Sequence, residues 1–332
     1  MRRLLLALAL ILATTTEAWA QDHVSTELSM TSGASTDEVT AGALQGRVFG
    51  DVKGVRLFGE LSWATVSGPT SDAFGAAYPY VRRVKVMDAY AERMFRHGVA
   101  MVGVRGGQFR TPFGIYSSAD HAYGGFLRAP LIRYAGYWAL SNTFLERGVN
   151  VVGGVPALQA EYTVGTPADS GDEDEQRRAG TDQVVRVQGY LGSLVIGASH
   201  IRTQPYQPRR FSPGRAIFNG VDARWMHGGV QVRGEWIDGQ PFNLMHTRGG
   251  YLDAFVHRRE MGPFSAMARI EVLDYDAGKR SVLAKRATVG TRIHLVESLY
   301  AQVNLSHQLG ALYAAPPTST DVAVTYTLRY PR

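Results

Sequence analysis

The stretch Val322-Ala323-Val324-Thr325-Tyr326-Thr327-Leu328-Arg329-Tyr330 alternates throughout. Val322, Val324, Tyr326, Leu328 and Tyr330 hold one parity, and Ala323, Thr325, Thr327 and Arg329 the other. A period of two sends the first set to one face of an extended strand and the second to the opposite face. A helix repeats its apolar positions about every 3.6 residues and does not keep this order.

The same parity recurs upstream. In 299–306, Leu299, Ala301, Val303 and Leu305 alternate with Tyr300, Gln302, Asn304 and Ser306. Ala287, Val289, Ile293 and Leu295 are set against Arg286, Thr288, Arg292 and His294. Phe264, Ala266, Ala268, Ile270 and Val272 are set against Ser265, Arg269 and Glu271. A strand of ~9 to 11 such residues can cross a bilayer with one face in lipid and the other in water. Tight turns at 51–54, 96–98, 153–156, 191–193, 226–229, 260–263 and 296–298 alternate with longer polar stretches near 34–41, 67–83, 111–146, 166–181, 203–215, 239–249, 275–283 and 309–320.

Short connections at one end and long ones at the other separate about sixteen segments, within a range of about 14 to 18, from Val24 to Tyr330. The expected fold is therefore all-β, a transmembrane antiparallel β-barrel with both termini at the short-turn, periplasmic end. An even strand count closes the sheet without free edges, as lipid requires. A soluble β-sandwich or solenoid also alternates, but Leu, Val, Ile, Trp and Tyr on the outward face of nearly every segment exceed what one soluble core absorbs. No sequence repeat of about 20 to 50 residues supports a propeller or solenoid.

Composition agrees. Of 332 residues, 45% are hydrophobic and 19% charged, with a formal charge of +6 scattered along the chain. That excludes a disordered chain and argues against a helical membrane protein or a nucleic-acid binder. The absence of Cys excludes a disulfide framework, a thiolate zinc site and a Cys nucleophile. Residues 1–20, with Arg2 and Arg3, an apolar core from Leu4 to Ala13 and the ending Ala18-Trp19-Ala20, read as a cleaved secretory signal peptide. Residues 21–332 then form the outer-membrane barrel, and they contain no apolar run of ~18 residues that would make a spanning helix.

About sixteen strands enclose a water-filled lumen, so selectivity comes from its lining. Alternation sends Arg47, Arg56, Arg105, Arg186, Arg224, Arg233, Arg269, Arg286 and Arg292 inward, opposed by Glu60, Glu161, Asp222, Glu235, Asp253 and Glu271. Guanidinium groups stay protonated and offer forked donors to anions, which gives a mild anion preference. The competing reading is mutual Arg–carboxylate pairing that braces the wall. The long stretch 111–146 holds Phe113, Tyr116, Tyr123, Phe126, Tyr134, Tyr137, Trp138 and Phe144, too aromatic a set for a loop in solvent. Such a loop folds inward, packs its rings on the wall and narrows the pore, presenting Arg128 and Arg133 to solute. A latch between subunits or a cap on the barrel mouth is the alternative.

Three blocks carry a family resemblance: Ala89-Tyr90-Ala91-Glu92, Val104-Arg105-Gly106-Gly107-Gln108-Phe109-Arg110-Thr111-Pro112-Phe113-Gly114-Ile115-Tyr116, and Glu146-Arg147-Gly148-Val149-Asn150-Val151. Together they resemble the conserved block of Gram-negative outer-membrane porins of the phosphate-selective O/P group and related general porins. The resemblance implies a 16-stranded, commonly homotrimeric channel with an inward-folded third loop and a preference for anions. It adds Arg110 to the candidate pore-lining and constriction set of Arg105, Arg128, Arg133, Tyr123, Tyr134, Trp138, Arg186, Arg224, Arg233, Arg269, Arg286 and Arg292. The Lys- and Arg-rich ladder of phosphate-selective members has no residue-by-residue match here, so phosphate selectivity is not implied. The aromatic at Tyr330 is similar to the C-terminal assembly signal of outer-membrane proteins, although Pro331 and Arg332 follow it.

Other constellations are weaker. Asp169, Asp172, Glu173, Asp174 and Glu175 form an acidic loop without the spacing of a calcium site. Arg202, Arg209, Arg210 and Arg215 suit lipopolysaccharide phosphates, a funnel for anions toward the mouth, or plain solvation. His200, His257 and His294 fall on strands and read as lining residues. The expected function is passive diffusion of small hydrophilic or anionic solutes through the bacterial outer membrane, without cofactor or catalysis. Outer-membrane lipid and lipopolysaccharide are the expected surroundings. The rivals are a barrel enzyme such as a lipid hydrolase, and a structural or adhesive barrel. Against the enzyme, Ser199 and His200 are strand neighbours and point to opposite faces.

Overall fold

A computed structural model describes residues 23–67, 84–115, 126–133, 145–168, 181–203, 216–240, 246–276, 281–310 and 317–330. Its strands are β1 (His23–Ser35), β2 (Thr40–Val52), β3 (Val55–Ser67), β4 (Val84–His97), β5 (Ala100–Arg110), β6 (Leu145–Val155), β7 (Leu158–Pro167) and β8 (Asp182–Leu191). They continue as β9 (Leu194–Thr203), β10 (Ala216–His227), β11 (Val230–Gln240), β12 (His246–Val256), β13 (Phe264–Asp276), β14 (Ser281–Val296), β15 (Leu299–Leu309) and β16 (Thr318–Tyr330). Each strand pairs antiparallel with its chain neighbours, and β1 pairs with β16, so the sheet is a closed 16-strand barrel. All seven short turns and all eight longer connections fall where the alternation of the sequence places them.

Turn chemistry sets the register. Val52 pairs with Val55 across Lys53 and Gly54, whose φ values of 50° and 76° are the two positive values of a type I′ hairpin. His227 and Val230 close in the same way over Gly228 and Gly229, at φ 56° and 78°. Once a turn is fixed, the side chains of its two strands alternate between the faces until a bulge shifts the register, as it does at Met87 on β4.

The outer face is apolar. Val322, Val324 and Leu328 on β16 and Val289 on β14 each expose about two-fifths or more of their surface, whereas Asp321, Ala323 and Thr325 are buried inside. Phe95, Trp225, Phe264 and Tyr330 point outward close to the short turns, as an aromatic girdle at a membrane boundary does. No described helix is long and apolar enough to cross a membrane, and the crossing is made by strands. At the closure seam, hydroxyls meet on the inner face: Ser29 with Thr327 at 3.0 Å and Thr31 with Thr325 at 2.9 Å.

Candidate channel and its internal loop

The described parts of the long third loop lie inside the barrel. At its start, Thr111 donates through its hydroxyl to Glu146 Oε1 at 3.0 Å, and Phe113 is fully buried. A side chain at Gly220 on β10 would collide with the Phe113 ring, so the glycine opens the seat for it. Gly114 N then donates to Ser199 Oγ at 3.1 Å.

Segment 126–133 runs along the opposite wall. Phe126 packs edge-on to Phe255, with the Arg269 guanidinium 4.0 Å from its ring centroid. Leu127 N donates to Asn304 Oδ1 at 3.2 Å, and Leu131 N to Glu271 Oε2 at 2.6 Å. Arg269 Nη1 donates to the Arg128 carbonyl at 2.9 Å, and Arg286 Nη2 to the Ala129 carbonyl at 2.6 Å. A chain without ladder partners must find others for its buried N–H and C=O groups, and inward-facing wall side chains supply them. Phe113, Leu131 and Ile132 join Ile201, Phe218, Ile237, Tyr251 and Leu273 in one buried apolar cluster. Burying each large side chain contributes about 1.5–3 kcal/mol.

Arg128 and Arg133, expected to face solute, are instead anchors. Arg128 Nε and Nη2 donate to the two carboxylate oxygens of Asp321 at 2.7 and 2.8 Å, and Nη2 also reaches Asp37 Oδ2 at 2.9 Å. Arg133 forks onto Glu235 and also donates to the Phe113 carbonyl. Both guanidiniums are buried against the carboxylates they pair with. Tyr123, Tyr134 and Trp138 lie outside the described residues, as do the acidic residues of 169–175 and Arg209, Arg210 and Arg215.

The other inward arginines reach the inner face and mostly meet carboxylates there. On the β2–β5 wall, Arg47 pairs with Glu27 and Glu60, each at 2.9 Å. Arg110 pairs with Glu60 and Asp88, and Arg56 and Arg105 both pair with Glu92. On the far wall, Arg186 pairs with Asp222 at 2.7 Å and Arg286 with Glu271 at 2.7 Å, while Arg233 and Arg269 share Asp253. Arg224 lies directly across from Arg233. With the Gln188 amide turned so that its oxygen faces the arginines, that oxygen accepts from Arg224 Nη2 at 2.9 Å, and the buried Arg224 Nε has no hydrogen-bond partner among the described residues. Arg292 donates to Gln302 Oε1 at 3.3 Å and lies 4.4 Å from the Tyr300 ring centroid.

The acids Glu27, Asp37, Asp88, Glu92 and Asp321 were missed by the sequence reading, although strand parity alone marks Glu92 and Asp321 as inward. His200 departs from expectation. Its neighbour Ser199 faces inward to Arg186 and Gly114, so His200 points outward, 2.8 Å from Asn219 Oδ1. His257 lies just past β12, its Nδ1 3.0 Å from Ser265 Oγ, and His294 faces inward beside Tyr300.

No protein-family model matches the chain, and no curated protein sequence does. Solved structures do match in fold. "Anion-selective porin from Comamonas acidovorans" aligns at TM-score 0.62 and 11% identity over 93% of this chain and 99% of the other. The OmpF of Salmonella typhi aligns at TM-score 0.64 and 11% identity over 92% of this chain and 97% of the other. OmpT, described as an outer membrane protein of Vibrio cholerae in trimer form, aligns at TM-score 0.58 and 11% identity over 93% and 99%. The barrel has the fold of bacterial outer-membrane porins.

Proposed function

We propose that the chain is an outer-membrane porin, a water-filled channel through which small hydrophilic solutes diffuse passively. The observation that carries this reading is a closed 16-strand barrel whose long loop packs along the inside of the wall. A loop held to one wall narrows a lumen and leaves a passage beside it. Residues 1–20 act as the export signal, and both strand termini then lie on the periplasmic side. The apolar outer face sits among the lipids of the outer membrane, with lipopolysaccharide around the long-loop end. Arg202, at that end of β9, is one cation for its phosphates.

Selectivity is mildly anionic. Arg224, Arg233 and Arg269 stand in one row with Asp253, which leaves a local excess of positive charge on the far wall. A homotrimer is the assembly, and a shallow outward groove of about 570 Å³ along Ser32, Ala34, Gly42 and Val324 supports it. Small residues let a second barrel approach closely in lipid. The test is reconstitution of residues 21–332 in a planar bilayer under a KCl gradient. Large open steps with a reversal potential of anionic sign are expected. A folded but silent barrel would overturn the channel in favour of an enzyme or adhesin.

A further inference from the structure

The wall of β2 to β5 carries an inward aromatic row to which passive diffusion gives no role. Phe49 lies directly opposite Phe58, and Phe58 opposite Tyr90. Ring centroids are 4.6 Å apart for Phe49–Phe58, 5.3 Å for Phe58–Tyr90 and 6.5 Å for Tyr90–Phe109. Phe49 shares the parity of Arg47 and Tyr90 that of Glu92, both of which make their ion pairs inside the barrel. Exposure falls along the row, from 41% at Phe49 to 1% at Phe109. Phe49 and Phe58 lie in the short-turn half, close to the Val52–Val55 hairpin, and Phe109 lies at the foot of the internal loop. The row thus climbs from one mouth toward the narrowing.

A water-filled inner wall is ordinarily polar, and aromatic faces held in water cost free energy that a ligand with a flat apolar face removes. The groups beside the rings say which ligand. Arg105 lies 4.5 Å from the Tyr90 ring centroid and donates to Glu92 through Nε at 2.9 Å and Nη2 at 2.6 Å. Arg56, largely exposed, donates to the other Glu92 oxygen at 3.1 Å. Guanidinium only donates and carboxylate only accepts, whereas a hydroxyl does both. Because Arg47, Arg56, Arg105 and Arg110 each stand beside a carboxylate, the patch has little net charge and favours neither anion nor cation. Successive rings are tilted by 40° and 51°, so the row curves. A curved row fits successive rings of a linear chain better than one rigid planar aromatic.

We propose that Phe49, Phe58 and Tyr90 form a binding track for neutral linear oligosaccharides. Pyranose faces stack on the rings, and hydroxyls exchange hydrogen bonds with Arg56, Arg105 and Glu92. The proposal rests on the channel reading and adds a solute class to it.

The test adds maltohexaose to the short-turn side of the reconstituted channel, with a polyethylene glycol of matched size as control. Concentration-dependent blockade by maltohexaose beyond that of the glycol is expected. Phe58→Ala should raise the half-blocking concentration about tenfold, one stacked ring being worth roughly 1.4 kcal/mol. Glu92→Gln should raise it less, with folding of both variants checked by heat-shifted migration. Equal blockade by sugar and glycol, or blockade by benzoate alone, overturns the track, as does an unchanged Phe58→Ala. A barrel without open steps overturns the channel reading instead. Calorimetry of maltohexaose with that folded barrel in detergent then decides the track: binding weakened by Phe58→Ala supports it, and no binding overturns it.

Discussion

Arg133, on the internal loop, forks onto Glu235 of β11 with both side chains fully buried. The pair ties a loop that begins at β5 to the opposite side of the barrel. Removing one partner of such a pair leaves an uncompensated buried charge, at a cost of about 3–5 kcal/mol. Glu235→Gln is therefore expected to loosen the loop while the sixteen-strand ladder stays closed. Single-channel recording should show frequent flickering between conductance levels. Quiet steps of wild-type size would show that the loop is held without this pair.

Gly114 permits that crossing. Its φ is 61°, and a Cβ there would collide with Glu235 Oε1 and come within 2.7 Å of Arg133 Nη2. Gly114→Ala combines a left-handed backbone, about 1–2 kcal/mol for a side-chain-bearing residue, with that collision. The expected phenotype resembles Glu235→Gln, with flickering and a lower unfolding temperature. Wild-type gating and stability in this variant would place the loop differently at its root.

Deleting 123–138 removes residues 126–133, which pack against β11 to β16. If this segment narrows the passage, conductance should rise well above wild type, provided heat-shifted migration confirms a folded barrel. Unchanged conductance would assign the loop to holding the barrel together or latching subunits.

Much of this architecture was legible because a barrel strand obeys a single local rule. Val322 through Tyr330 kept the faces that parity assigns, and each short turn carried its own signal, as at Lys53-Gly54. That the third loop folds inward was legible from its aromatic residues; which wall it follows was not, since that depends on partners far apart in sequence, such as Arg128 with Asp37 and Asp321. The roles of the inward arginines were hidden for the same reason: parity gives the face, and only cross-strand register tells whether a carboxylate stands beside it. The aromatic row was missed because Phe49, Phe58 and Tyr90 become neighbours only when β2, β3 and β4 are aligned. His200 was misread one residue at a time, although Ser199 inward already required it outward.

Ile270, near the middle of β13 and 61% exposed on the outer face, tests the lipid contact. An arginine near the bilayer midplane costs about 2–4 kcal/mol in a transmembrane barrel. Ile270→Arg should lower the yield of folded barrel in phospholipid vesicles, and Ile270→Val should not. Equal folding of both would argue that this face is not in lipid.

The far wall's field can be separated from the loop's anchoring. Arg128 and Arg133 are paired and buried, so replacing them should change loop position and gating before it changes ion preference. Arg224 stands opposite Arg233, with a buried Nε that has no hydrogen-bond partner among the described residues. Removing its charge acts on a passing ion directly: at ~10 Å in water one unit charge is worth about 0.4 kcal/mol, or roughly a twofold change in permeability ratio. Arg224→Gln should therefore move the reversal potential in a KCl gradient toward the cationic sign at unchanged conductance, and the shift should shrink as salt screens the charge. The neutral Gln keeps a hydrogen-bonding side chain beside Gln188, so loss of folding is not the expected route to the effect. A reversal potential identical to wild type at low salt would remove Arg224 from the selectivity-setting groups and leave the proposed anion preference to charges on the long loops.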